Sequence, residues 1–324
     1  MKTCTDWGRP FSQMSLGTVQ LGLDYGIANE DGKPDLEQSC QVLSTAIEGG
    51  VTALDTAASY GNSEKVLGSY FRTFGGREGV FITTKFGLNM PGAPETAVRD
   101  AMRRSLANSL ENLGVDRVDC LMLHRAEDFD DHGDVIAAAL SELKAEGVIG
   151  CAGISIYHPE SLEKPLRTDV FSMVQAPMSL FDHALRESGR IEELRRRGMA
   201  LIIRSVFLQG LFFLDPDGIG DEALAAAAGE KLRMIRGLAE REHMTMAELA
   251  IAYIRDMPSV TSLVLGAEKP GQVRQNLAYF KEGACALSDA ARRFIDENCA
   301  ADIPQIMKAL SARYNRGAAK EKKS

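Results

Sequence analysis

Four polar residues stand at or just past the ends of short apolar runs: Asp55 closing VTALD, Tyr60 in the TAASY segment that follows, Lys85 after FITT, and His124 after CLML. A tyrosine hydroxyl has an ordinary pKa of about 10 and donates a proton poorly near neutrality unless a neighbouring cation stabilises its anion. A lysine supplies that charge. A carboxylate beside the lysine keeps it protonated and oriented, and a neutral imidazole can hydrogen-bond a substrate oxygen. Asp, Tyr, Lys and His together suit proton transfer to a carbonyl oxygen as hydride arrives at its carbon. Singly, each has a plainer reading: Asp55 as a turn residue, Lys85 as a solvated strand end, Tyr60 as a surface contact. Four chemically matched groups at successive strand ends make the joint reading the stronger one.

The elements that must position them are eight apolar runs bounded by Gly, Asp or Asn: 16–22, 51–55, 79–84, 118–123, 148–154, 170–176, 199–203 and 262–266. Continuous rather than alternating apolarity marks strands buried on both faces, as in a parallel sheet covered by helices. Between the runs lie segments of helical periodicity. One starts after Asp35, a second after Pro94 carries an apolar stripe at Met102, Leu106, Leu110 and Leu113 with Gly114 as its stop, and a third follows Gly189. Eight strand-helix units without a composition shift predict an α/β fold, a single closed (β/α)8 TIM barrel, rather than an open doubly wound sheet. Two more helical segments, 287–300 and 303–314, extend past the eighth unit. The barrel domain is expected over residues 1–317, with 318–324 a basic, disordered tail. The longest gap, 204–261, is where a lid or cofactor clamp would sit.

With 324 residues, 45 % hydrophobic and 25 % charged, the chain is long enough for one large barrel and is not a disordered polymer. The 37 Lys+Arg against 45 Asp+Glu leave a net charge of −8 and no basic stripe, which argues against nucleic acid as partner. No apolar run reaches membrane-spanning length, and the N-terminus lacks the apolar core of a secretory signal, so the cytoplasm is the expected address. Cys4, Cys40, Cys120, Cys151, Cys285 and Cys299 are scattered and read as reduced, mostly buried thiols. His132, His158, His183 and His243 have no partner at ligand spacing and read as exposed or capping groups. No metal site is expected: Asp55, His124 and Glu127 alone are too poor in histidine.

LDTAASYGNSEKVLG (54–68), TTKFG (83–87) and VDCLMLHRAED (118–128) resemble, in that order, the Asp/Tyr, Lys and His segments of the aldo-keto reductase superfamily, and the similarity runs from about Leu16 to Leu277. The resemblance implies a (β/α)8 barrel that uses NADPH, without a Rossmann domain, to reduce aldehydes or ketones or to oxidise alcohols and sugars. By position it makes Tyr60 the general acid, Lys85 and Asp55 the pair that stabilises its anion, and His124 the group that orients the carbonyl. It assigns Ser155 and Gln175 to the carboxamide of the cofactor, and Gly17, Thr18 and Val19, with Asp55, to the nicotinamide ribose. Arg204, Ser205, Phe207, Gln209 and Gly210 follow strand seven and fall to the nicotinamide and pyrophosphate. Gly266, Lys269, Gln272, Gln275 and Asn276 follow strand eight and fall to the adenosine.

Three departures qualify the resemblance. Ile156 stands where many members have Asn, which puts one carboxamide hydrogen bond in question. Arg204 replaces an aromatic residue that often stacks on the nicotinamide, and its charge beside a ring that is positive when oxidised favours the reduced cofactor. Gly266, Ala267 and Gln272 replace Lys, Ser and Arg of strongly NADPH-selective members. Only Lys269, Arg274 and Lys281 remain near a 2′-phosphate, so NADH stays possible. The partner is expected to be a small-molecule carbonyl substrate, with Tyr25, Tyr157 and His158 on its side and polar loops that favour a hydroxylated compound. Monomer and small homo-oligomer leave the same traces in one chain. The alternative from another class is an NADP(H)-binding regulatory or sensor subunit with negligible turnover.

Overall fold

The computed structural model describes residues 1–4, 7–29 and 31–311. Strands β3 (Met14–Gly17), β4 (Ala53–Asp55), β5 (Phe81–Phe86), β6 (Val118–Leu123), β7 (Ile149–Ser155), β8 (Phe171–Pro177), β9 (Ala200–Arg204) and β10 (Ser262–Gly266) pair in parallel, each with the next, and β10 closes on β3. A two-stranded hairpin, β1 (Thr3–Cys4) and β2 (Phe11–Ser12), precedes the barrel. The eight-unit expectation matches, with one correction. The run 16–22 is not one strand: its first residues end β3, while Val19–Gly22 coil into helix α1. Both halves are apolar, so a strand and a buried helical turn read alike there. The hairpin carries too few residues to give a periodic signal.

The helices follow in order: α2 (Leu36–Glu48), α3 (Ser63–Phe74), α4 (Glu95–Leu113), α5 (Glu127–Ala145), α6 (Ala184–Glu187), α7 (Arg190–Arg196), α8 (Glu222–Arg241), α9 (Met246–Arg255), α10 (Pro270–Ala278) and α11 (Asp289–Asn298). Their ends follow local chemistry. Asp35 caps α2 by accepting from the Gln38 N–H at 2.8 Å, and Gly114 ends α4 at φ +66°. Residues 303–311 are helical, and the expected domain limit at 317 and tail 318–324 lie outside the described residues.

Two apolar layers hold the barrel. Ala53, Cys120, Met122, Cys151, Met173 and Ile202 fill its interior, where Phe11, Phe81 and Trp7 pack edge to face beneath them. Trp7 therefore sits at the end of the barrel opposite the strand C-termini. The outer layer between sheet and helices takes most of the remaining Leu, Ile and Val. All six cysteines are free thiols. Burial covers Cys120, Cys151 and Cys299, whereas Cys285 is exposed and the other two are half-buried, so the expectation of mostly buried thiols is too strong. His132 also departs from expectation: it is buried in α5, with Nε2 2.7 Å from the Met90 carbonyl oxygen. No described helix is long and apolar enough to cross a membrane.

Candidate active site

Parallel strands deliver their C-terminal residues to one rim, and β4, β5 and β6 bring three of the four singled-out groups there. Lys85, 1 % exposed, sits in the last turn of β5 and donates from Nζ to Asp55 Oδ1 at 2.6 Å and to the Thr56 carbonyl at 2.9 Å. The other Asp55 oxygen accepts from Gln175 Nε2 at 2.7 Å, so β4, β5 and β8 are tied through one carboxylate. Burial alone would drive the Lys85 proton off. Asp55 and Tyr60 outweigh it and hold the ammonium above its ordinary value.

Tyr60 reaches the same spot from the loop after β4. Its ring lies 4.9 Å from Lys85 Nζ and 5.6 Å from the His124 ring, edge to face. The loop can approach α1 this closely because two glycines meet: a Cβ on Gly22 would fall 1.9 Å from the Tyr60 carbonyl oxygen, and one on Gly61, at φ +56°, 2.3 Å from that of Gly22. Below it, Ser63 donates to the Thr18 hydroxyl at 2.7 Å, and Thr18 to the Asp55 carbonyl at 2.9 Å, locking β3, β4 and the start of α3 together. His124 follows β6, its N–H donating to Phe86 O at 2.7 Å. Burial first, then the charges of Lys85 and Arg204, lower its pKa to about 3, so its imidazole is neutral at physiological pH. Ser59 Oγ stands 3.3 Å from its Nδ1.

These groups open into a cavity of about 740 Å³ that runs along the rim from Tyr60 to α10. Asp55, Tyr60, His124 and Gln175 line it with Gly17 and Val19, as do Arg204, Ser205, Phe207, Gln209 and Gly210 from the end of β9 and the segment after it, and Gly266, Gln272, Gln275 and Asn276 from β10 and α10. Thr18, Lys85 and Ser155 lie buried just behind the wall. Lys269 is outside it, paired with Asp31. Of the substrate-side candidates, Tyr25 and Tyr157 line the cavity and His158 does not. Arg204 is held by donation to Ile156 O at 2.9 Å, and its guanidinium lies 4.3 Å over the Tyr157 ring.

Sequence reasoning missed Gln20, Ser59, Phe213, Glu268 and the start of α9 (Met246, Ala247), all of which line the cavity. Ser59 was within reach, since it directly precedes Tyr60. The α9 residues belong to the long 204–261 segment, whose path carries no sequence signal.

The segment after β9 has an unusual backbone. Ser205, Leu208 and Gln209 have φ of +63°, +48° and +58°, and Gly210 has +92°. Non-glycine residues hold such conformations only where the surroundings enforce them; here the Leu208 and Gly210 N–H groups donate to the Ser205 and Phe207 carbonyls at 2.8 and 2.9 Å, and Ser205, Gln209 and Gly210 line the cavity. Between β3 and β10, Gln20 Oε1 is buried without a hydrogen-bond partner among the described residues, and a Cβ on Gly266 would meet the Gln20 amide. A buried acceptor without a donor beside an open cavity is a place for a ligand hydroxyl or amide. These residues fit a dinucleotide. Among the described residues no group of His, Cys, Asp or Glu is arranged to hold a metal.

An eight-stranded parallel barrel with a titratable cluster beside an open cavity on its C-terminal rim is a fold and site that many enzymes share, and the comparisons say which class this one is. The chain matches the Aldo/keto reductase family over residues 13–292 and belongs to it. It is a nicotinamide-dependent oxidoreductase. It is similar to an uncharacterized oxidoreductase of Bacillus subtilis (26 % identity, covering 82 % of this chain and 86 % of the relative). It is also similar to an NADH-specific methylglyoxal reductase of Escherichia coli (28 % identity, 82 % and 89 %). Its fold matches the holo form of an aldo-keto reductase from Bacillus halodurans, with TM-score 0.77 at 22 % identity over 94 % of this chain and 99 % of that one.

Proposed function

We propose that the protein reduces a small aldehyde or ketone, with Tyr60 as the proton donor. A reduced nicotinamide dinucleotide, when bound, supplies the hydride. Tyr60 passes its phenolic proton to the carbonyl oxygen, and the Lys85 ammonium, 4.9 Å from the ring, stabilises the phenolate left behind. Asp55 keeps Lys85 charged inside a buried site, and Gln175 holds Asp55 in place. His124, being neutral, can donate one hydrogen bond to the carbonyl oxygen and set its angle without competing for the proton. In the oxidative direction the same phenolate accepts the alcohol proton. Arg204 lies by the nicotinamide end, and its charge favours the reduced cofactor. Tyr25, Ser59 and Tyr157 in the cavity lining offer hydroxyls to a polar carbonyl substrate, and methylglyoxal, a dicarbonyl named for one relative, is a first compound to try.

The observation that carries this reading is the buried Asp55–Lys85 pair, 2.6 Å apart, beneath Tyr60 at the cavity wall. Tyr60→Phe keeps the ring and removes the proton. Turnover should fall by about 10²–10⁴-fold, the range for losing a general acid, while dinucleotide binding followed by nicotinamide fluorescence stays within a few fold. Turnover close to that of the wild type would remove Tyr60 from the mechanism.

A further inference from the structure

We propose that the adenosine end of the cavity is built for a ribose 2′-hydroxyl and against a 2′-phosphate, so that the protein selects NADH over NADPH, with Glu268 the principal selector and Asp31 and Gln272 its auxiliaries. The proposal rests on reading the cavity as a dinucleotide site.

Charge placement is the first support. Among the described residues that line the cavity, Arg204 is the only Lys or Arg, and it sits at the end of β9, bonded to Ile156 O, over the Tyr157 ring and close enough to His124 to lower its pKa. The adenosine end is lined by Glu268, Gln272, Gln275 and Asn276. A 2′-phosphate would bring close to two negative charges against the Glu268 carboxylate with no cation in the wall to offset them, whereas a 2′-hydroxyl can donate a hydrogen bond to it.

Two of the cations that the sequence offers, Arg274 and Lys269, point elsewhere, the first for reasons of helical geometry. On α10, positions 272, 275 and 276 share the face turned to the cavity, and Arg274 falls on the opposite side. There it lines an outer cleft with Leu36, Cys40 and Phe74. Lys269, just before the helix, lines a second outer cleft with Asp35 and Glu37, and its Nζ is 2.5 Å from Asp31 Oδ2. That pair is exposed and therefore weak, so Asp31 tilts the selectivity without setting it.

Two backbone donors before the helix are spoken for as well. A phosphate at the start of a helix binds to N–H groups that lack intrahelical partners. Here the Glu268 and Lys269 N–H groups donate to Gln272 Oε1 at 2.8 and 3.0 Å. Gln272, itself uncharged, thereby takes up two donors that a phosphate there could otherwise use.

Calorimetric titration of the full-length protein separates the possibilities, using NADH and NADPH together with 5′-ADP and 2′,5′-ADP, which carry the adenosine end alone. NADH should bind at least about tenfold tighter than NADPH, equivalent to about 1.4 kcal/mol, and 5′-ADP tighter than 2′,5′-ADP in the same sense. Glu268→Lys should reverse or abolish the preference, Asp31→Asn should narrow it by a few fold, and melting followed by circular dichroism verifies that each variant is folded. NADPH and 2′,5′-ADP binding as tightly as their partners, or tighter, would overturn the proposal and leave the dinucleotide site standing. Failure of both dinucleotides to bind would overturn that reading too.

Discussion

Two buried carboxylates sit at opposite ends of the barrel, each with a side chain 7 % exposed, one held by a lysine and the other by two arginines. Asp55, at the C-terminal end of β4, holds Lys85 and accepts from Gln175. Asp119, near the start of β6, accepts from Arg77 at 2.9 Å and from the Ile82 N–H at 2.8 Å, with Arg9 Nε at 3.1 Å. The two networks resemble each other in donors and distances, but their surroundings differ. Tyr60 and a cavity of about 740 Å³ stand above Lys85. The Asp119 network joins the N-terminal segment, the turn before β5, β5 and β6, and none of its members lines the cavity. The contrast extends to the cations. Burial lowers the pKa of Arg77 despite Asp119, whereas Asp55 and Tyr60 more than offset burial at Lys85. A buried ion pair is therefore not by itself a catalytic signal. An ion pair becomes one when a proton donor and an open cavity lie on its far side.

Asp55→Asn breaks the comparison hardest. It leaves Lys85 buried with a neutral partner, so the lysine loses the largest influence holding its proton. Turnover should fall by about 10³-fold or more, on the scale of removing a group on which general acid catalysis depends. The residual activity should decline at lower pH than in the wild type, because Lys85 then deprotonates earlier. The sign for stability follows: a lysine held above its ordinary value stabilises the fold fully below about pH 10.5, and that contribution is lost only as pH rises further. Steady-state kinetics across pH, with turnover within a few fold of wild type, would show that the pair is structural at both ends.

Asp119→Asn is the converse. Two arginines lose their counter-charge at a nearly buried site, which should cost about 3–5 kcal/mol of stability, read as a lower urea midpoint. Below the transition, kcat and KM should stay within about twofold, since TIM barrels place stability at the face opposite their chemistry. A tenfold loss of kcat in folded Asp119→Asn would erase the distinction between the two ends.

The same distinction explains what could be read from the chain. Asp55, Lys85 and His124 were legible because a parallel barrel fixes where strand ends point, and Tyr60 followed from the segment after β4. Asp119 lies within a run that reads simply as apolar strand, and its partners Arg9 and Arg77 come from segments without periodic signal. Outside the cavity, Lys269 pairs with Asp31, a residue of the segment between α1 and α2 far from it in the chain. Side-chain direction at a helix start is a tertiary property, so the residue could be nominated from sequence while its destination could not.

The smallest expected effect is an absence. His124 touches Tyr60 edge to face, yet burial, Lys85 and Arg204 bring its pKa down to about 3, so it should not titrate between pH 8 and about 5. Its ring resonances in an NMR pH series, assigned by comparison with His124→Gln, should stay at their neutral positions across that range. The unfolded chain takes up this proton near pH 6.5 and the folded chain does not, so the His124 contribution to stability erodes as pH falls from about 6.5 toward 3. A His124 titration near 6.5 would mean that the rim is wetter than its packing implies. The imidazole would then carry charge beside Lys85 under assay conditions, and the division between a proton donor and a neutral orienting group would have to be redrawn around a protonated His124.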